Sequence, residues 1–188
     1  MEDCQLIEKY LKGDNKCFDA LYEKYRKPLY SYIYKLVYNN QHLCDDIFQQ
    51  TWVKIINKLD KYSDKDKFIY WAFTIARNLV IDNVRKNKKH QNTIAREAFD
   101  DDGIEITKDY NEPWQDLNNL EISQAITKAL DKLPENLREV FLLRSNDVSF
   151  KEIAKIQDCS INTVLSRMKY ALNKLKIELT YLKIEDNN

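Results

Sequence analysis

At 188 residues the chain has material for one domain of ordinary size or two small ones, so the division must come from the pattern along it. Two glycines and three prolines punctuate it too sparsely for a sandwich or barrel, while Leu, Ile, Lys, Glu, Asn and Tyr abound, and an all-α fold is expected. Charged residues make up 32% of the sequence but balance at 30 cationic and 30 acidic, which excludes a polybasic chain and leaves only local basic patches.

Chemistry-bearing clusters are scarce. Cys4, Cys17, Cys44 and Cys159 are scattered without a C-x-x-C pair, and of His42 and His90 only the first lies near a cysteine, so no metal site is expected. A P-loop, a glycine-rich phosphate turn, a G-x-S-x-G elbow and productively spaced carboxylates are all missing from the sequence. The chain therefore reads as non-enzymatic, with no catalytic residue and no cofactor. The amino terminus shows no charged-then-apolar secretion signal, and no apolar run approaches the ~18 residues that span a bilayer. A cytoplasmic protein with reduced thiols and no membrane insertion is expected.

Helical periodicity runs from Cys4 to about Lys89, with breaks at Gly13-Asp14, Asn39-Asn40 and Ser63-Asp64, giving roughly four helices. Pro28 falls inside the second and is expected to kink or split it, because it removes a backbone donor. The segment Cys44-Asp-Asp-Ile-Phe-Gln-Gln-Thr-Trp-Val-Lys54 is an amphipathic helix with Asp45, Asp46, Gln49 and Gln50 on its polar side and Ile47, Phe48 and Val53 on its apolar side.

The helix from about Asp66 to Lys89 is more informative. Its wheel places Phe68, Ile69, Ala72, Phe73, Ala76, Leu79, Val80 and Val84 inside, opposite Tyr70, Trp71, Thr74, Arg77, Asn78, Ile81, Asp82, Arg85 and Lys88. Two large aromatics thus share a basic face. Either unstacked bases lie on the rings while cations hold the phosphates of a separated strand, or Tyr70 and Trp71 tuck under a neighbouring helix or the loop Asp60 to Lys67.

From Glu97 to Asp116 eight acidic residues oppose a single lysine, Lys108, and periodicity fails, so residues 96–117 read as an acidic linker between residues 1–95 and 118–188. Periodicity resumes at Leu117 and continues to about Leu182 as about four short helices, with Pro134 in a first turn and Ser149 and Glu152 as a capping box. Ser149 to Ile156 is one amphipathic helix, Gln157-Asp-Cys159 a tight connection, and Ser160 the cap of a longer helix, which together read as a helix-turn-helix. The wheel of that longer helix puts Ile161, Val164, Leu165, Met168, Leu172, Leu175 and Leu179 inside. Asn162, Thr163, Ser166, Arg167, Lys169, Tyr170, Asn173 and Lys174 fall outside, short hydrogen-bonding groups first and cations behind, as suits a helix entering a major groove.

Ile153-Ala-Lys-Ile-Gln-Asp-Cys-Ser-Ile-Asn-Thr-Val-Leu-Ser-Arg167 resembles the region 4 motif of bacterial sigma factors. Asp158 replaces the family's turn glycine, and Leu165 stands where lysine is common. The run Ile126-Thr-Lys-Ala-Leu-Asp-Lys-Leu-Pro-Glu-Asn-Leu-Arg-Glu-Val-Phe141 is similar to the stretch leading into that motif. Phe68-x-x-Trp71-x-x-x-Ile75-Ala-Arg-Asn78-x-x-x-Asp82-x-x-Arg85 resembles region 2 of the extracytoplasmic-function (ECF) sigma factors, the small class that keeps regions 2 and 4.

The resemblance implies a sigma factor that gives core RNA polymerase its promoter preference and opens the DNA. It implies that Tyr62, Ser63, Lys65, Tyr70, Trp71, Arg77, Asn78, Arg85 and Lys88 face the minus-10 element, the loop Tyr62 to Lys67 forming a pocket for a flipped base. Ser160, Asn162, Thr163, Ser166, Arg167, Lys169, Tyr170 and Lys174 would contact the minus-35 element. Asp45, Asp46, Gln49, Gln50, Trp52 and Lys54 would dock on the clamp helices of the polymerase's largest subunit, Gln50 replacing a usual glutamate. The flap of the second-largest subunit, promoter DNA and an anti-sigma factor are the other implied partners, and the acidic linker would thread the polymerase channels. The rival reading is a helix-turn-helix regulator whose first domain senses a signal or dimerises, and it leaves the basic aromatic face of residues 70–88 without a use.

Overall fold

The computed structural model describes residues 2–63, 67–94 and 117–185, with side chains for residues 2–63, 67–86 and 124–180. Lys65, the side chain of Lys88 and nearly all of the expected acidic linker therefore lie outside the described residues. Within them the chain forms eight α-helices and no strand: α1 (Asp3–Leu11), α2 (Asn15–Leu36), α3 (Gln41–Ile56), α4 (Phe68–Ile94), α5 (Leu117–Asp131), α6 (Glu135–Ser145), α7 (Phe150–Gln157) and α8 (Ile161–Glu185).

The breaks have local causes. Gly13 sits at φ 103°, where a side chain would be strained, and Asp14 then accepts the amide of Lys16 to start α2. Tyr38 and Asn39 both adopt positive φ after α2, and Asn40 caps α3 by accepting the amide of Leu43 at 3.0 Å. Pro28 neither splits nor ends α2, contrary to expectation. The carbonyl that loses its donor belongs to exposed Lys24, while Leu21, Tyr25, Leu29, Tyr32, Ile33 and Leu36 are buried on both sides of the proline and hold the helix through it.

In the first half α1, α3 and α4 pack against α2. Leu29, Ile33, Cys44, Ile55, Phe68, Ala72, Phe73 and Ala76 are fully enclosed there. Beside this core Phe18, Tyr22 and Phe48 surround Trp52 with ring centroids 4.8–6.3 Å away, an edge-rich arrangement that aromatic quadrupoles favour.

In the second half α5, α6 and α7 pack against α8, the longer helix that Ser160 was expected to start, which is 25 residues long. Its inner stripe is Val164, Met168, Ala171, Leu175 and Leu179, four of the residues the wheel placed inside with Ala171 added. Ile161 and Leu165 are each 45% exposed and Leu172 48%. Fully buried Ala171 lies on the inner stripe, and small side chains let helix backbones approach closely; the hydrophobicity wheel passed over it for larger residues on either flank.

The halves meet along α2 with α6 and α4 with α7. Burial raises the Cys44 thiol to about 12, so at pH 8 it is a thiol and shielded. We expect an aromatic disulfide reagent to titrate half-exposed Cys4 and Cys159 rapidly in the native protein and Cys44 and Cys17 only after unfolding; rapid reaction of all four would contradict this packing.

Candidate nucleic-acid interface

The carboxy-terminal motif is built as its sequence demands. Ser149 Oγ accepts the amide of Glu152, and the Glu152 carboxylate accepts the amide of Ser149 at 2.9 Å, closing the capping box of α7. Asp158 ends that helix in the left-handed conformation, φ 50° and ψ 55°, doing the work of a glycine, since short polar side chains tolerate this region best. Ser160 Oγ then accepts the amide of Thr163 at 3.1 Å and starts α8. Asn162, Ser166, Lys169, Tyr170, Asn173 and Lys174 are exposed along the outer side of α8.

Not every outward residue is turned to solvent. Ser160 and Thr163 are engaged in the cap, their hydroxyls 2.9 Å apart. Arg167 is half-buried and donates to Gln157 Oε1 at 2.7 Å and to Cys159 Sγ at 3.6 Å, so its guanidinium braces the turn between α7 and α8. Ser160 stays exposed while it caps α8, and Arg167 has internal partners that the sequence reading did not foresee.

On α4 the structure divides the expected face. Asn78, Asp82 and Arg85 are exposed, and Trp71 is half-buried with its ring 5.2 Å from Tyr62 and 5.8 Å from Phe68. Tyr70 is only 5% exposed, and its hydroxyl donates to the carbonyl of Asp147 in the turn before α7. It is therefore not an open stacking platform in this arrangement; the second half covers it. Tyr62, Ser63, Tyr70, Trp71 and Thr74 from the first half, with Glu152 and Lys155 from α7, line a cleft of about 310 Å³.

Arg77 is likewise covered. Its Nε donates to Glu139 Oε1 at 2.7 Å; that carboxylate also accepts from Tyr32 Oη at 3.1 Å and, on Oε2, from Gln157 Nε2 at 2.6 Å. Burial above all, and then the neighbouring carboxylate, keep the Tyr32 phenol protonated far beyond its usual range, so it remains a donor. The chain Arg77–Glu139–Gln157–Arg167 thus joins α4, α6, α7 and α8 through successive hydrogen bonds.

Next to it the guanidinium of buried Arg138 donates to the carbonyls of Lys35, at 3.2 Å, and Leu133, at 3.0 Å, and lies 3.6 Å over the Tyr38 ring. These carbonyls lie at or just beyond the ends of α2 and α5, where unpaired carbonyls and helix dipoles favour a cation. Sequence reasoning missed Arg138, Glu139 and Gln157. The available signal was two adjacent charges inside Leu137-Arg-Glu-Val-Phe-Leu-Leu143, where helical period calls for apolar residues.

On α3 the exposed side carries Asp46, Gln49, Gln50, Val53 and Ile56, the last two 57% and 40% exposed. Val53 was expected inside. Asp45 is half-buried and accepts from Tyr30 Oη at 2.7 Å, and Lys54 is half-buried. Trp52, expected on a docking surface, is 6% exposed within the aromatic cluster instead. Among the described residues no group of three or more metal-ligating side chains comes together, and no helix is long and apolar enough to cross a membrane.

The family model for Sigma-70 region 2 matches residues 21–90 and that for Sigma-70 region 4 matches residues 123–175. Over 174 residues the chain is 30% identical to the ECF RNA polymerase sigma-E factor of Escherichia coli K12, covering 89% of each. The chain belongs to the ECF RNA polymerase sigma factors. It is also 29% identical over 178 residues to the ECF sigma factor SigW of Bacillus subtilis, covering 92% of this chain and 94% of that one.

Two solved structures share the fold of this sigma factor. One is the sigma factor RpoE of Bartonella quintana in complex with the anti-sigma factor NepR, with a TM-score of 0.68 at 24% identity over 88% of this chain and 98% of that one. The other is CnrH in complex with the cytosolic domain of CnrY, with a TM-score of 0.66 at 22% identity over 95% and 97%. As an RNA polymerase sigma factor the chain directs promoter recognition and strand opening when transcription initiates.

The turn of this sigma factor gives a direct test. Asp158→Gly should leave thermal stability within error, whereas Asp158→Val should cost about 1–2 kcal/mol, read by denaturant unfolding, because a branched side chain resists positive φ. Equal stability of the two variants would argue against the left-handed turn.

Proposed function

We propose that residues 118–188 carry minus-35 recognition and residues 1–95 carry minus-10 capture and polymerase docking, with the acidic segment 96–117 as tether. The observation that carries the proposal is the capped helix, left-handed turn and exposed row of α8. Asn162 and Ser166 would meet base edges, Tyr170 and the lysines Lys169 and Lys174 the phosphates behind them. Arg167 supports this surface from beneath by fixing the turn.

For the opened strand, Trp71 with Tyr62 and Ser63 would offer the base-binding surface of the first half, and Asn78 and Arg85 continue it along α4. Tyr70 and Arg77 would join that surface only when the two halves part. Polymerase docking would use the exposed Asp46, Gln49, Gln50, Val53 and Ile56 of α3, a mixed apolar and polar strip of the kind found at protein interfaces. A second groove, lined by Ile126, Phe141, Leu172, Leu175 and Leu179 with a volume of about 430 Å³, is the surface that would take the polymerase flap. Work on polymerase would place the protein in the cytoplasm without catalysis of its own, and the inhibitor-bound relatives support an anti-sigma factor as a further partner.

Adding the chain to core polymerase should give promoter-dependent run-off transcripts, and binding of duplex DNA with core polymerase left silent would contradict the proposal. In the same system Trp71→Ala should lower permanganate-detected strand opening by an amount equivalent to about 1–3 kcal/mol, the worth of one base stack, while duplex capture stays within error. Equal loss of both would remove Trp71 from the strand-binding surface.

A further inference from the structure

The first two turns of α8 carry an apolar pair that the core leaves half outside. Ile161 and Leu165 are each 45% exposed, although hydrophobicity alone assigns both to the inner side of the helix. At i and i+4 they lie one above the other. Leu172 continues their line at 48% exposed, but it belongs to the groove lined by Ile126, Phe141 and Leu179, and Ile161 and Leu165 stand outside that groove. Around the helix the pair falls between the inner stripe and the exposed polar row, next to Asn162 and Lys169.

The surroundings say what covers such a pair. From Ile161 to Ile177 the helix carries Arg167, Lys169, Lys174 and Lys176 and no carboxylate, so the charge about the pair has one sign and suits a polyanion. The N-terminal turns of a recognition helix are those that reach base edges. Arg167 holds them in place through its bond to Gln157 Oε1 in the preceding turn. On the major-groove edges of the bases the apolar substituent is the 5-methyl group of thymine, set among donors and acceptors.

We propose that Ile161 and Leu165 are specificity determinants that pack on thymine 5-methyl groups, so that this sigma factor selects minus-35 elements with thymine at the base pairs facing the first two turns of α8. The inference deepens the reading of α8 as the minus-35 helix and rests on it. Asn162 beside them has the amide that matches N6 and N7 of adenine, so apolar and polar side chains together read the two bases of A·T pairs.

Holoenzyme reconstituted from the full chain and core polymerase is offered duplexes randomised through the minus-35 region. The selected duplexes are then remade with deoxyuridine in place of thymidine, one position at a time. Uracil keeps every donor and acceptor of thymine and lacks only the methyl group. At the positions facing the pair the exchange should weaken binding about fourfold, the worth of one buried methyl group.

Leu165→Ala and Ile161→Ala, each with the helix content of the parent by circular dichroism, should bind the thymine duplex more weakly and no longer distinguish thymine from uracil at the position each one faces. A merely structural loss lowers both affinities and leaves their ratio as in the parent. The two variants are independent, so if one fails to fold the other decides. Equal binding of thymine and uracil duplexes by the parent, or an unchanged ratio in the folded variants, would overturn the proposal. An unchanged ratio with weakened assembly on core polymerase would overturn it too and give the pair to the polymerase. No upstream preference by the parent at all would overturn it together with the reading of α8 as the minus-35 helix.

Discussion

The arrangement of the molecule depends on one buried carboxylate. Glu139 is 4% exposed, where an unpaired charge would cost several kcal/mol, and Arg77, Tyr32 and Gln157 all donate to it. Each hydrogen bond to a charged group is worth about 1.5–3 kcal/mol, so removing any donor is felt by the others. Two of the three, Tyr32 and Arg77, come from the first half, and Gln157 from the second. Burying Glu139 therefore requires the halves to be together.

The same geometry explains why residues suited to nucleic acid are found away from solvent. Guanidinium and phenol groups that evolved surfaces use for phosphates and bases are costly to bury alone, and here each is met by an internal acceptor. Arg138 follows the same rule with backbone carbonyls and an aromatic face in place of a carboxylate. Asp131 shows the opposing cost: burial raises its carboxyl above the ordinary value, only partly offset by Arg138 and by its bond from Asn39. The seam thus adds directed polar contacts to a hydrophobic core that runs continuously through both halves.

Much of this was legible in the sequence. The helix boundaries followed from Gly13, Asn40 and Ser149, whose conformational or capping roles are local, and the turn at Asp158 followed from the tolerance of Asp for positive φ. Two misplacements share a cause. The inner stripe of α8 and the exposure of Val53 were read from hydrophobicity, whereas the packing is set by which residue lets a neighbouring helix come close, Ala171 in the first case, and by which side of α3 faces α4, where Thr51 and Ile55 are enclosed. Tyr70 and Arg77 were misplaced because their partners come from the distant second half, whereas Trp52 is enclosed by Phe18 and Tyr22 of the neighbouring α2 and by Phe48 of its own helix. Period alone assigns a face to a helix but not the neighbour that covers it.

A thermodynamic cycle on Arg77→Met and Glu139→Gln, followed by urea unfolding of the free chain, tests the central claim most directly. A coupling of about 1 kcal/mol or more between the two substitutions is predicted, because each removes the other's partner across the seam. Additivity within about 0.3–0.5 kcal/mol would contradict it and leave the two halves energetically independent.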